Sequence, residues 1–153
     1  LSAYRPARPD LVWNASASVP IGLYRVSAAR KIMTRDLVIV RPPPALADFL
    51  ADGHYLPRGV PLLKHVAALA GGVVCRNGAH IVIDGRTVAE ALARDRRGRP
   101  LPRWQGCVTL NADQVFLLNP DRPDSLDGRY FGPLALSAVV GRATPLWTKR
   151  EPS

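Results

Sequence analysis

The chain has 153 residues, 47% of them hydrophobic, and a formal net charge of +9 from 21 Lys and Arg against 12 Asp and Glu. That is the length of one domain with a core of its own, and 15 prolines and 12 glycines argue for short strands and turns over a helical bundle. No apolar stretch reaches the roughly 20 residues of a membrane-spanning helix, and two cysteines are too few for a four-ligand zinc site.

Residues 1–10 read as an irregular, proline-bearing arm, followed by a short strand at Leu11-Val12-Trp13-Asn14. Small and turn residues from Ser16 to Gly22 predict a tight turn that exposes Ser18, with extended structure resuming at Leu23-Tyr24-Arg25-Val26. The β-branched run Asp36–Arg41, stopped by Pro42-Pro43-Pro44, is the clearest strand. One or two helical turns are expected over 45–50 and a turn over 53–59. Residues 62–69 form a strand whose alternation sets Lys64 and Val66 on one face and Leu63, His65 and Ala67 on the other.

Gly71-Gly72 ends that strand. Val73–Cys75 and His80–Ile83 flank Asn77-Gly78, a hairpin signal of type I′, and Asp84-Gly85 repeats the signal before Thr87-Val88. Residues 84–106 read as an exposed loop or hairpin excursion, polar and arginine-rich from Glu90 to Arg103. Further strands fall at 107–110, 115–118 and 139–143, giving one mainly β, antiparallel domain over 1–153 with long loops and little helix.

The basic charge fits an anionic membrane surface better than nucleic acid. It is spread, apart from the cluster Arg94, Arg96, Arg97, Arg99 and Arg103, and the sequence has no zinc-finger spacing, RNA-binding aromatic motif or long basic recognition helix. Cys75 and Cys107, 32 positions apart, would bridge in an oxidising compartment or stay two buried thiols in a reducing one; spacing leaves both open.

Two residues carry the chemistry. Ser18 lies in Ser16-Ala17-Ser18-Val19-Pro20-Ile21-Gly22, rigid at Pro20 and permissive at Gly22, a turn able to hold a hydroxyl at the edge of a groove. Lys64 is an ammonium between Leu62-Leu63 and Val66-Ala67-Ala68-Leu69. Left at the surface it would snorkel to water. Buried, it loses hydration and its pKa falls, so that the neutral amine becomes a general base for a serine. Ser16 is a candidate second donor beside the Ser18 N–H in an oxyanion hole. His65 faces away from Lys64 and takes no role, and His54 belongs to a turn. A third segment, Asp121 to Pro133, offers either Asp127 and Arg129 as a buried pair that orders its loop, with Ser125 as a hydroxyl that aims the lysine amine, or a capped turn with an exposed ion pair.

Taken in order, these segments resemble the type I signal peptidases, the serine–lysine endopeptidases that remove signal peptides. Lys64-His65-Val66 followed by Gly71 matches that family's lysine box, and Ser125-x-Asp127-x-Arg129-Tyr130-Phe131-Gly132 its C-terminal box. Ser16-x-Ser18 matches its oxyanion serine and nucleophile. Ser18-Val19-Pro20 is one residue shorter than the usual nucleophile box, and with Asn14 and Ile21-Gly22-Leu23-Tyr24 it is most similar to the TraF-type maturation peptidases of conjugation systems. Gly128 stands where the family commonly has serine.

The resemblance implies a signal-peptidase-like β fold and an extended peptide substrate, such as a prepilin or signal-peptide precursor, with small side chains at the first and third residues before the cut. It implies no cofactor and no nucleic-acid partner. It places the protein at the periplasmic face of the bacterial inner membrane, held by an anchor upstream of Leu1, with Trp13, Leu23, Tyr24, Phe49, Trp104 and Trp147 as candidates for a membrane-facing surface or for the core. It also implies that the acyl-enzyme passes to water or, in the TraF-type case, to the amino terminus of the pilin itself. A secretion or conjugation scaffold that keeps the fold without the activity, a self-cleaving repressor and a nucleic-acid module are the alternatives.

Overall fold

The β-branched run after Asp36 sits in the middle of the larger of two antiparallel sheets in the computed structural model, which describes residues 10–15 and 18–149. In chain order the strands are β1 (Asp10–Asn14), β2 (Gly22–Ser27), β3 (Leu37–Val40), β4 (Leu62–Ala68), β5 (Val73–Asn77), β6 (His80–Ile83), β7 (Arg86–Glu90), β8 (Gly106–Thr109), β9 (Gln114–Leu118), β10 (Leu134–Ala135) and β11 (Val139–Thr148). Helix α1 spans Pro44–Asp52 and the single turn α2 spans Gly128–Phe131. The seven-stranded sheet runs β1-β2-β11-β3-β4-β9-β10 and the four-stranded sheet β7-β6-β5-β8.

Burial explains the order. Val115 and Leu117 of β9 face a cluster with Val38, Val40, Val66 and Val139, while Phe116 and Leu118 face another with Ala68, Val74, Ile81 and Leu110. A strand buried on both faces reads as a continuous apolar run, and β9, together with β4 through Val66 and Ala68, joins the core of the large sheet to that of the small sheet. A third cluster, Val19, Tyr24, Ile39, Leu63 and Ala143, lies where the turn after β1 folds back onto β3 and β4.

Proline 44, last of the three, opens α1, where a missing N–H costs nothing. Helix α1 runs beyond the expected 45–50 because Phe49 stacks on Tyr55, ring centroids 5.4 Å apart, and meets Phe131 edge-on. Strand β11 continues to Thr148, through Pro145, because β2 pairs with it along that length and a register shift between Pro145 and Trp147 absorbs the proline.

The hairpin signal at Asn77-Gly78 is displaced by one residue. Asn77 pairs with His80, so Gly78-Ala79 are the central residues, and of these only Gly78 has positive φ, at 61°. That is the type II′ pattern, not type I′. At Asp84-Gly85 both φ values are positive, 49° and 82°, as type I′ requires. The 84–106 excursion begins as strand β7, paired with β6, and then becomes a loop pinned by buried Ala91 and Leu101 against Tyr130.

The aromatic candidates divide. Tyr24 is core, Phe49 packs on Tyr55, and Trp104 sits edge-on to Phe116 with its Nε1–H donated to the Gly128 carbonyl at 3.0 Å. Trp13 and Trp147 stay exposed and stack on each other at 5.8 Å. Among the described residues no helix is long and apolar enough to cross a membrane.

Candidate active site

The turn that carries Ser18 leaves β1 at Asn14 and re-enters the sheet at Gly22, which pairs with Asn14. Its fold is set by side chains at both ends. The buried Asn14 donates Nδ2–H to the carbonyls of Val19 and Pro20, each at 3.3 Å, and the Tyr24 hydroxyl also donates to the Pro20 carbonyl. Val19 is buried beside Leu63 in the cluster above, worth about 1.5–3 kcal/mol for a fully buried valine. Ser18 precedes Val19 and Lys64 follows Leu63. Packing those two apolar neighbours therefore brings the half-buried Ser18 and Lys64 to the walls of one cavity of about 180 Å³, whose other walls include Leu50, Leu56 and Leu126. Ser16 lies outside the described residues.

Lys64 is only 3% exposed. Its Nζ and the Ser125 Oγ are 2.9 Å apart, both groups buried. Burial drives its pKa down from 10.5 to about 8; the negative charge of Asp127 partly offsets this and the positive charge of Arg129 adds to it. About a tenth of such an amine is neutral at pH 7, far more than for a lysine in water.

Asp127 caps the first turn of α2, accepting from the Arg129 N–H at 3.1 Å. It also accepts from the Arg129 Nε at 3.1 Å and from the Asn119 N–H at 2.8 Å. Arg129, 1% exposed, spends its remaining N–H groups on the carbonyls of Glu90, Asn119, Arg122 and Pro123. A buried guanidinium with every donor placed avoids the penalty of an unpaired buried charge, and here it fixes the loop that ends in Ser125. Gly128 has no room for a side chain. A Cβ there would meet Phe116 Cε2 at 2.6 Å and the Leu117 carbonyl at 2.8 Å, which accounts for glycine at this place.

Asn119 escaped the sequence reading. It is buried, at the end of β9, and brackets Lys64 along β4: its Nδ2 donates to the Leu63 carbonyl at 3.1 Å and its Oδ1 accepts from the His65 N–H at 3.3 Å. The His65 Nδ1 contacts the same oxygen at 3.0 Å, so this histidine is a partner of Asn119, and it lines a second cavity, of about 280 Å³, that Ser18 also lines. The only local signal for Asn119 was Asn-Pro directly after an apolar strand, which reads as a turn. Arg76 was also missed. Buried on β5, it donates to the Arg129 carbonyl at 2.6 Å and to the Gly78 carbonyl at 3.0 Å.

Cys75 and Cys107 stand opposite each other in the β5–β8 pair and are joined by a disulfide in the small sheet. Among the described residues no group of three His, Cys, Asp or Glu is arranged to hold a metal ion. The site that the folding brings together is thus a half-buried hydroxyl and a desolvated amine on one cavity, with a hydroxyl, a carboxylate and a guanidinium behind the amine. Such a set is suited to acyl transfer through a serine.

Comparison with known proteins points the same way. The profile of the family described as signal peptidase, peptidase S26, matches residues 5–147. The probable conjugal transfer protein TraF of Sinorhizobium fredii is 37% identical over 145 residues, 88% of this chain and 76% of that protein. The conjugal transfer protein TraF of Agrobacterium fabrum is 34% identical over 145 residues, 88% and 81% of the two chains. A plasmid transfer protein TraF of Escherichia coli is 30% identical over 146 residues, with the same coverages of 88% and 81%. A signal peptidase I of Enterococcus faecalis overlays 77% of this chain and 100% of its own at 20% identity with a TM-score of 0.46, too loosely to bear on the site.

Proposed function

The chain belongs to the peptidase S26 signal peptidase family, and from that premise we propose that it is a serine endopeptidase with Ser18 as nucleophile and Lys64 as general base. The observation that carries this reading is the lysine: 3% exposed, held by Ser125, with a pKa near 8, on the cavity that Ser18 also lines. An ammonium is not buried among apolar side chains for stability, since burial penalises its charged form.

An extended peptide lies along the cleft and its scissile carbonyl meets Ser18 Oγ. Neutral Lys64 takes the hydroxyl proton as the bond forms and passes it to the leaving amine. The oxyanion is met by the Ser18 N–H, with Ser16 Oγ as second donor, a contact worth about 2.7–4 kcal/mol of barrier when such donors are lost. Asn14 and Tyr24 act through the backbone of the turn, and Ser125, Asp127 and Arg129 through the position and charge of Lys64. The relatives are named for conjugal and plasmid transfer, which supports a precursor of a conjugation system as substrate. The acyl-enzyme then goes to water or to the amino terminus of the same pilin precursor.

The exposed, stacked Trp13 and Trp147, with Leu11 and Leu146 also exposed, support a body that sits against a membrane, and the signal peptidase family with the conjugal transfer relatives supports its periplasmic side.

Incubation of purified protein with a prepilin substrate, its products resolved by mass, tests the chemistry. Cleavage is expected from the native chain and from neither Ser18→Ala nor Lys64→Arg, since arginine stays protonated. Turnover in a folded variant of either kind removes that residue from the reaction. A product one water lighter than the linear peptide marks cyclisation, and a linear product marks hydrolysis. Flotation with anionic vesicles should be weakened by Trp13→Ser with Trp147→Ser, and unchanged flotation takes the membrane from that surface.

A further inference from the structure

The arginine-rich loop after β7 has no part in the reaction described, yet it is built more firmly than a solvated loop needs. Arg94 and Pro100 form a bridge, and the Asp95 N–H donates to the Arg99 carbonyl at 2.9 Å. The Asp95 carboxylate accepts from the N–H groups of Arg97 and Arg99, each at 2.9 Å, and from Arg99 Nε at 2.7 Å. The Tyr55 hydroxyl donates to the same carboxylate, and Arg99 lies 4.8 Å from the Tyr55 ring centroid while its Nη2 donates to the Gly53 carbonyl at 2.8 Å. Asp95 and Arg99 are therefore consumed in tying the loop to the end of α1. What the loop presents is the pair at its tip, Arg96 and Arg97.

Beneath that tip is a cavity of about 250 Å³ with apolar walls from Tyr55, Leu92, Leu101 and Leu126 and the two arginines on its lining. Tyr55, Asp124 and Leu126 line both this cavity and the one shared by Ser18 and Lys64, so the two are neighbours with a common wall. Arg96 pairs with Asp124, but its side chain is 86% exposed, and an ion pair so exposed holds weakly and opens to a better partner. Among the described residues no carboxylate pairs with the Arg97 side chain. Two guanidiniums on a stiff turn repel each other, and a carboxylate between them relieves that repulsion through forked, charge-assisted bonds.

We propose that Arg96 and Arg97 bind a carboxylate carried by the peptide that occupies the Ser18–Lys64 cleft. It belongs to an acidic side chain or to the terminus of the peptide, and its neighbouring apolar atoms fill the cavity below. This rests on the peptidase reading for the peptide itself. The common wall with the cleft favours a peptide over a lipid headgroup, and the exposed tryptophans belong to β1 and β11, in the other sheet from the strands that flank this loop.

The test is binding of fluorescein-labelled peptides, of about a dozen residues to fill an extended cleft, to the full chain carrying Ser18→Ala. All have alanine at the first and third positions before the cut. One series moves a single glutamate, or glutamine in its place, through the other positions; a second compares the free carboxyl terminus with the amide. One glutamate position, or the free terminus, should bind about tenfold tighter than its neutral counterpart, and the series in which this occurs identifies the carboxylate. The preference should vanish in Arg96→Gln with Arg97→Gln, survive in Arg25→Gln at an exposed position of β2, and weaken as salt rises. Equal binding of acidic and neutral peptides throughout overturns the proposal. So does a preference that persists in the double variant, including the case where that variant loses only its binding to phosphatidylglycerol–phosphatidylethanolamine vesicles. Selective binding without cleavage by the chain with Ser18 intact supports the carboxylate site and removes the peptidase reading.

Discussion

Ser18 rides on a turn held by bonds to its own carbonyls, whereas Lys64 sits within a strand paired on both sides, by β3 and by β9. The turn is half-open and the strand is dry. The two settings suit the roles proposed for the two groups. A nucleophile must be reached by a scissile carbonyl, so its backbone is fixed from below and its hydroxyl left accessible. A lysine base must lose its hydration, and only a well-paired interior keeps water from its amine. Rigidity is therefore unequal across the site, and damage to the two halves should differ in kind.

The largest effect is expected from Lys64→Met, which removes the proposed base and keeps the bulk. Activity should fall about 10³-fold or more. In the native chain kcat/KM should rise with pH as the ammonium deprotonates and level off above about 8. Stability should follow the same group. Between the folded-state pKa near 8 and the ordinary lysine value of 10.5, the unfolded chain binds more protons, so native stability climbs with pH across that window. Thermal melts of Lys64→Met should lack this climb; a climb of equal size in both proteins would mean that the amine is not buried.

Asp127→Ala comes next. It leaves the Arg129 guanidinium buried without its carboxylate, at a cost of about 3–5 kcal/mol seen in urea unfolding. Any activity left should reach its plateau at lower pH, because the charge that raises the Lys64 pKa is gone. Asn119→Ala removes the links to both neighbours of Lys64 and should cost about 1–3 kcal/mol, with a larger fall in kcat than rise in KM. Tyr24→Phe is the mildest. Loss of its bond to the Pro20 carbonyl should cost about 1 kcal/mol and slow acylation while leaving the Lys64 pH profile in place. A shifted profile in Tyr24→Phe, or an unshifted one in Asp127→Ala, would break the contrast between turn and strand.

Much of this was visible in the amino-acid order, for local reasons. The runs at 37–40 and 115–118 announce strands by β-branching and apolar continuity, and Lys64 stands out because nothing polar adjoins it but His65. What the sequence withheld was pairing over distance. Asn119 meets Leu63 across 56 positions, and Arg76 meets Arg129 across 53, and no periodicity foretells such contacts. The shift of the hairpin at Gly78 has the same origin. Asn-Gly favours one turn, but the pairing of β5 with β6 decides which two residues stand at the tip.

Arg76 joins these levels. It comes from the small sheet and donates to the backbone of Arg129, whose own side chain gathers four carbonyls of the large sheet's loops and of β7. Two nested guanidiniums thus rivet one layer to the other behind the amine. Amide hydrogens at 119 and 129 should exchange with solvent only in rare, collective openings, so that the Lys64 amine, the proposed proton acceptor, stays desolvated between them.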